Sequence, residues 1–184
     1  LEFDETTRSY RRADPGKINV APGKRSRLYM DHNRHIWIGT EGGLYRYQPE
    51  TEMLEHFEPD DLDDKSISDN TIYSLFEDET GVLWIGTFSK GVDKYDFYRK
   101  QFLHFRKIPY RKNSLNGNVV SSIHGLNPNE LWVGLDVGGG INRILFSGNQ
   151  EPKIIHYLND PADPGTIGGN SILCLVQRKN GEVW

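Results

Sequence analysis

The sequence predicts an all-β fold assembled from repeated four-stranded sheets. Three observations predict it. A tryptophan strand recurs along the 184 residues, as "HIWIGT" at 35–40, "GVLWIGT" at 81–87, "ELWVGL" at 130–135 and "EVW" at 182–184. Other positions move in step with it: Asn70, Asn118 and Asn170 each lie 14 residues before a tryptophan, with Gly23 in that place in the first copy. Finally, no window carries a convincing helical period, whereas Gly, Pro, Asn, Asp and Ser punctuate the chain at short intervals.

The register of the repeat is tight. Trp37, Trp84, Trp132 and Trp184 follow one another at intervals of 47, 48 and 52 residues. Leu28, Leu75, Ile123 and Leu175 each precede a tryptophan by 9 residues, and Tyr10, Phe57, Phe105 and Tyr157 each precede the Asn or Gly position by 13. The block from that aromatic to the tryptophan is therefore 27 residues without a gap in every copy. All length variation falls after the tryptophan, around "TEGG", "TFSKG" and "LDVGGG", and around "SGNQEP" at 147–152. Insertions of this kind belong in loops, where they leave a packed core intact.

Taken in order, the chain opens with "LEFDETTRSY", which matches the third and fourth strands of a repeat. The stretch from Arg8 to Lys24 is the most degenerate, and Arg25 stands where the next copy has Ile72. A first strand through Leu28 is followed by "HIWIGT", by a glycine turn at 42–43, by "GLYRYQ" and by "MLEHF". The next copy begins near Asn70, passes Ile72 and Leu75, turns at "DETG", and continues through "VLWIGT", "GVDKYD" and "FLHF". The third has Asn118, Ile123, "ELWVGL", a strand from Ile141 and "KIIHY". The last, "GNSILCLVQRKNGEVW", matches a first strand and the start of a second.

Four strands per repeat of this length is the pattern of a β-propeller blade. The expected division is 1–24 for the end of a preceding blade and its connection, 25–57 for the first whole blade, 58–105 for the second, 106–157 for the third, and 158–184 for a truncated fourth. The chain is thus expected to be a fragment, three whole blades and two halves, of a larger propeller. The physical role expected for the repeated tryptophan is a large apolar plate between stacked sheets, with the glycine two residues on letting the neighbouring sheet approach.

Composition narrows the function classes. The net charge of −4 is mild, and Lys and Arg are distributed without a footprint for nucleic acid. No apolar run approaches the roughly 20 residues that span a bilayer, so no membrane contact is expected of this segment. Cys174 is the single cysteine, which excludes an internal disulfide framework. At a strand position between Leu173 and Leu175 it is expected to be buried and inert.

"LWIGT-x-GG-L-x-R-Y", the following aromatic strand, "DP-x-DP-x-S/T-I" and "N-x-I-x-x-L" together resemble the two-component regulator propeller repeat. The resemblance covers essentially the whole chain, with departures at Gly23, at Arg25 and at "LDVGGG". It implies a seven-bladed parent, and the periplasmic or extracellular sensor of a hybrid two-component system, a histidine kinase fused to a response regulator and held in the inner membrane. It also implies an oligosaccharide ligand. The segment itself is then no enzyme, and its partners are that ligand and other copies, through open blade edges or dimerisation of the parent.

Several residue groups suggest chemistry but read more simply as structure. His56, His104 and His156 each precede the repeat aromatic, so they occupy one position on successive blades and point apart; outer-strand packing is the better reading than a metal. The run Asp60, Asp61, Asp63 and Asp64 lacks the order of a calcium loop and reads as a solvated connection. "DVGGG" at 136–140 precedes a strand, not a helix, and reads as a hairpin turn rather than a phosphate cradle. No catalytic residue, metal ligand or cofactor is indicated. A propeller enzyme (a lyase or a glycosidase) and a protein-interaction scaffold are the alternative functions, since one propeller frame hosts many. For a ligand, the face carrying the 40–43, 87–91 and 135–140 turns and the 58–70, 106–118 and 158–170 connections is favoured. Glu41, Phe88, Lys90 and Asp136 are its candidate contacts, with Phe88 as a stacking platform for a sugar ring.

Overall fold

A computed structural model describes residues 2–4, 9–11, 26–97, 101–148, 150–178 and 182–184. A short hairpin comes first, β1 (Glu2–Asp4) paired with β2 (Ser9–Arg11). Three four-stranded antiparallel sheets follow, each a meander in chain order. The first holds β3 (Arg27–Met30), β4 (Ile36–Thr40), β5 (Gly43–Gln48) and β6 (Met53–Phe57). The second holds β7 (Ile72–Glu77), β8 (Leu83–Thr87), β9 (Val92–Asp96) and β10 (Gln101–Phe105). The third holds β11 (Val120–Asn127), β12 (Glu130–Leu135), β13 (Gly140–Leu145) and β14 (Lys153–Tyr157). The fold is all-β, as the period predicts. Gly23, Arg25 and the side chain of Tyr10 lie outside the described residues.

The core lies between sheets rather than within them. Trp37 and Leu44 of the first sheet pack against Ile72, Leu83, Ile85, Tyr95 and Phe102 of the second. Trp84 and Val92 pack against Val120, Ile123, Val133 and Leu135 of the third. Ile67 and Leu115, from the connections that enter the second and third sheets, plug these two seams and are buried. Non-polar faces that one thin sheet cannot cover are thereby removed from water by its neighbour.

The glycine of each W-x-G sets the spacing. A Cβ on Gly39 would lie 2.5 Å from Cγ2 of Ile72, one on Gly86 2.6 Å from Cγ1 of Val120, and one on Gly134 2.8 Å from Cγ2 of Ile172. In all three cases the intruding side chain belongs to the first strand region of the next blade, so the missing Cβ admits it.

The tryptophans differ in burial. Trp37 and Trp84 are buried, Trp132 is half-buried, and Trp184 is 67% exposed. Trp132 faces residues 171–178 and 182–184, among which the pairings are short: Gln177 opposite Val183, Val176 with Trp184, and Arg178 N to Glu182 O. That thin layer covers less of an indole than a full sheet does. Cys174 is exposed, against the expectation of burial: residues 171–176 are not in a strand here, and of 173–176 Leu175 alone is buried.

Candidate functional site

Three hairpins and three connections meet on one face. Each hairpin bonds the connection entering the next blade: Gly43 N donates to Asn70 O (2.7 Å), Gly91 N to Asn118 O (3.0 Å) and Gly140 N to Asn170 O (2.8 Å). These glycines have φ of 112°, 93° and 67°, and a Cβ at each would run into the carbonyl that closes the fourth strand, of Phe57, Phe105 or Tyr157. Only glycine fits there.

The repeated Asn also closes its own connection. Asn118 Oδ1 accepts from Lys107 N, and Asn170 Oδ1 from Asn159 N, both at 2.7 Å. The position equivalent to Lys107 in the second blade is Pro59, which has no N–H to give.

The connections share a turn held by one hydroxyl. Ser66 Oγ, Ser114 Oγ and Thr166 Oγ1 accept from the N–H of Asp60, Ile108 and Asp160 and donate to the carbonyls of Asp63, Arg111 and Asp163. Asp60 and Asp63 are occupied by their own turns, accepting from Leu62 N and Lys65 N. The acidic run is therefore a folded connection, and among the described residues no group of acidic, His and Cys side chains is placed to hold a metal ion.

The three aligned histidines stay apart on their blades. His56 lies flat on Tyr45, with ring centroids 4.0 Å apart, and contacts Gly42 O at 2.8 Å. His156 Nε2 lies 2.8 Å from Ser114 O. His104 lies 2.7 Å from Oδ1 of the fully buried Asp93, and 3.0 Å from Asp64 O. The hydrogen bond to Asp93 holds the His104 imidazolium at a pKa above the usual histidine value. Asp93 Oδ2 takes the N–H of Ser68 at 2.8 Å, so one buried carboxylate ties the entry connection to the outer strand.

The four candidate contacts occupy successive hairpin tips. Glu41 is exposed at the first hairpin tip. Phe88 is 46% exposed and leans on Tyr73, with centroids 5.2 Å apart at 53°. Lys90 is exposed and lines a cleft of about 530 Å³ with Asp61, Asp64, His104 and Arg106. Asp136 accepts from Val137 N at 2.7 Å and donates its own N–H to Val119 O. The face is thus continuous, but these four side chains sit at separate tips on successive blades, and Lys90 alone of them joins that cleft.

Sequence reasoning missed how the tryptophans are held. Trp37 Nε1 donates to Asp31 Oδ2 (2.9 Å) and Trp84 Nε1 to Asp78 Oδ2 (2.8 Å), each Asp six residues upstream. In the third blade that position is Leu126, and Glu130 accepts from Trp132 instead, at 2.6 Å. A cation covers each ring: Arg46 over Trp37, Lys94 over Trp84 and Arg143 over Trp132, at 5.5, 5.4 and 5.6 Å. The signal was present, a basic residue at one place in "LYRY", "VDKY" and "INRI".

Residues 66–89 match the family model of the two-component regulator propeller. A 122-residue stretch is 26% identical to a histidine kinase of Formosa agariphila, covering 65% of this chain and 9% of that protein. Among solved structures, the extracellular domain of a hybrid two-component system of B. thetaiotaomicron superposes with a TM-score of 0.73 over 95% of this chain, at 19% identity and 23% of its own length. PorZ, a surface component of the type-IX secretion system of Porphyromonas gingivalis, superposes at 0.59 over 87% of this chain, with 14% identity and 24% of its own length. The structural likenesses establish the shared fold, and the chain spans a quarter or less of each of these relatives. Among the described residues no helix is long and apolar enough to cross a membrane.

Proposed function

From a chain that carries the two-component regulator propeller repeat, we propose that it is a non-catalytic, ligand-sensing part of the periplasmic or extracellular domain of a membrane-bound hybrid signalling protein, and that the ligand is an oligosaccharide. The observation that carries this is the hairpin face. Three hairpin-and-connection pairs are fixed by the same inter-blade bond from Gly43, Gly91 and Gly140, while their tips differ in length and chemistry, from Glu41 to Phe88 and Lys90 to Asp136. A constant frame with variable tips is where repeat proteins build specificity. The half-exposed Phe88 ring, braced by Tyr73, offers an apolar surface beside polar groups, the combination that suits sugar faces and hydroxyls.

The test is calorimetric titration of oligosaccharides into the intact protein and into Phe88→Ala, Lys90→Ala and Asp136→Ala. Binding weakened about tenfold by Phe88→Ala is expected, equivalent to roughly 1.4 kcal/mol. Affinity unchanged in all three variants would remove the site from this face.

A further inference from the structure

We propose that the cleft between connection 106–113 and the outer strand of the third sheet is an anion subsite, which takes a sulfate or carboxylate group carried by the ligand. This rests on the oligosaccharide reading above and names the ligand's chemical class.

Connection 106–113 gives up a feature that its counterparts keep. Its structural equivalents, 58–65 and 158–165, both use an Asp pair. Asp60 and Asp63 accept from Leu62 N and Lys65 N, and Asp160 and Asp163 accept from Ala162 N and Gly165 N, at 2.9–3.0 Å. In connection 106–113 those two positions are Ile108 and Arg111, whose side chains cannot accept a hydrogen bond. The turn keeps the Ser114 hydroxyl and the backbone bond from Arg111 N to Ile108 O (3.2 Å), without the two side-chain carboxylates. Tyr110, at its tip, has a φ of 65° and a fully exposed side chain. A bulky residue in the left-handed region is unfavourable, and an exposed aromatic gains nothing from the core to offset it. The repeat shows the more stable way to build this turn, and the third blade departs from it.

What replaces the carboxylates is positive charge. Arg106, Lys107, Arg111 and Lys112 stand exposed within seven residues of a chain whose net charge is −4. Arg111 reaches the exposed Glu151, but Lys107 and Lys112 form no ion pair among the described residues. Lys107, Arg111, Lys112, Tyr110, Asn116 and His156 line a cleft of about 450 Å³. Asn116 Nδ2 is buried there with no hydrogen-bond partner among the described residues. That N–H is closed to solvent as it stands, so a ligand's oxyanion reaches it only where the Asn116 side chain turns toward the cleft. Ammonium groups, an unmatched amide N–H and an exposed phenol ring together match an anionic group on a sugar ring.

The experiment has three probes on the intact protein: inorganic sulfate, a sulfated tetrasaccharide and its desulfated counterpart. Each is titrated by calorimetry, with amide hydrogen exchange read at 106–116. The sulfated sugar is expected to bind at least tenfold tighter than the desulfated one, with slowed exchange in 106–116. The double variant Lys107→Ala/Lys112→Ala, whose side chains are both exposed, is expected to erase that difference and leave the desulfated sugar's affinity unchanged. Sugars that bind alike overturn the anion subsite and leave the oligosaccharide reading standing. Slowed exchange with sulfate while neither sugar binds sinks the oligosaccharide reading and leaves an anion site. No response at 106–116 to any probe overturns the proposal. So does a dimer in sedimentation that the double variant abolishes without any change in sugar binding, since a second copy's acidic connection would then be the partner.

Discussion

The Gly86 position allows the spacing between blades to be tested directly. In Gly86→Ala the new Cβ meets Ser74 Oγ and lies 2.6 Å from Cγ1 and 3.2 Å from Cβ of Val120. The serine is a cheap obstacle: its hydroxyl is the end of a short rotor and has no partner among the described residues. Val120 is different. It is fully buried on the first strand of the next sheet, and a β-branched side chain has little rotamer freedom. Rotation cannot remove a clash that also involves its Cβ, so the third sheet must retreat by the better part of an ångström to reach ordinary contact. Overpacking of this kind costs about 1–3 kcal/mol, against which the smaller chain entropy of alanine returns about 0.4–1 kcal/mol. The expected net loss is about 1–2 kcal/mol by urea unfolding at unchanged m-value. Val120→Ala removes the obstructing methyls, so the double variant should be at least 1 kcal/mol more stable than the sum of the singles predicts. Gly169→Ala, with nothing within 4 Å of its Cβ, should lie within about 0.5 kcal/mol of the parent. Additive effects of Gly86→Ala and Val120→Ala, or a neutral Gly86→Ala, would refute the close-approach argument.

Two further outcomes follow from the same geometry. Trp84→Ala removes a buried ring tilted against Phe105 and Phe146 and strands Asp78 Oδ2; it should cost about 3–5 kcal/mol in equilibrium unfolding, whereas Trp84→Phe, which keeps most of the plate, should cost clearly less. His104 has its pKa raised in the fold by Asp93, so its contribution is present in full below its unfolded value of about 6.5, down to the carboxylate range, and disappears as pH rises through the folded value. Denaturant midpoints should therefore fall between slightly acid and mildly alkaline pH, and His104→Gln should flatten that slope; an unchanged slope would show that this pair does not titrate as described.

How much was legible varies element by element. The period placed all three tryptophan strands and their turns correctly, because alternation and turn chemistry are local properties, written within a few residues of where they act. It also placed the aligned histidines on separate outer strands and the acidic run in a connection. The Asp31–Trp37 and Asp78–Trp84 bonds were within reach of the same reading, six residues apart, but their partner position fails in the third blade, where Glu130 substitutes. What ties Asp93 to both Ser68 and His104 has no such local mark, since its three members lie on a connection and two strands that only the folded sheet brings together.

The sequence by itself determined the blade: its four strands, its ungapped register, the glycine that thins each second strand, and the hairpins where length is free to change. Tertiary structure decided what each repeated residue does. The same indole is buried at 37 and 84 and half-covered at 132, because burial depends on the sheet stacked against it and not on the strand that carries it. The same turn is neutralised by carboxylates at 60 and 63 and surrounded by cations at 106–112, and only the packing of that connection against His156 and Asn116 turns a stretch of basic residues into a cleft. Local pattern fixes backbone path through short-range sterics and hydrogen bonding. Charge, exposure and unmet hydrogen bonds acquire meaning from neighbours some 48 residues away, at a distance in sequence that no local pattern encodes.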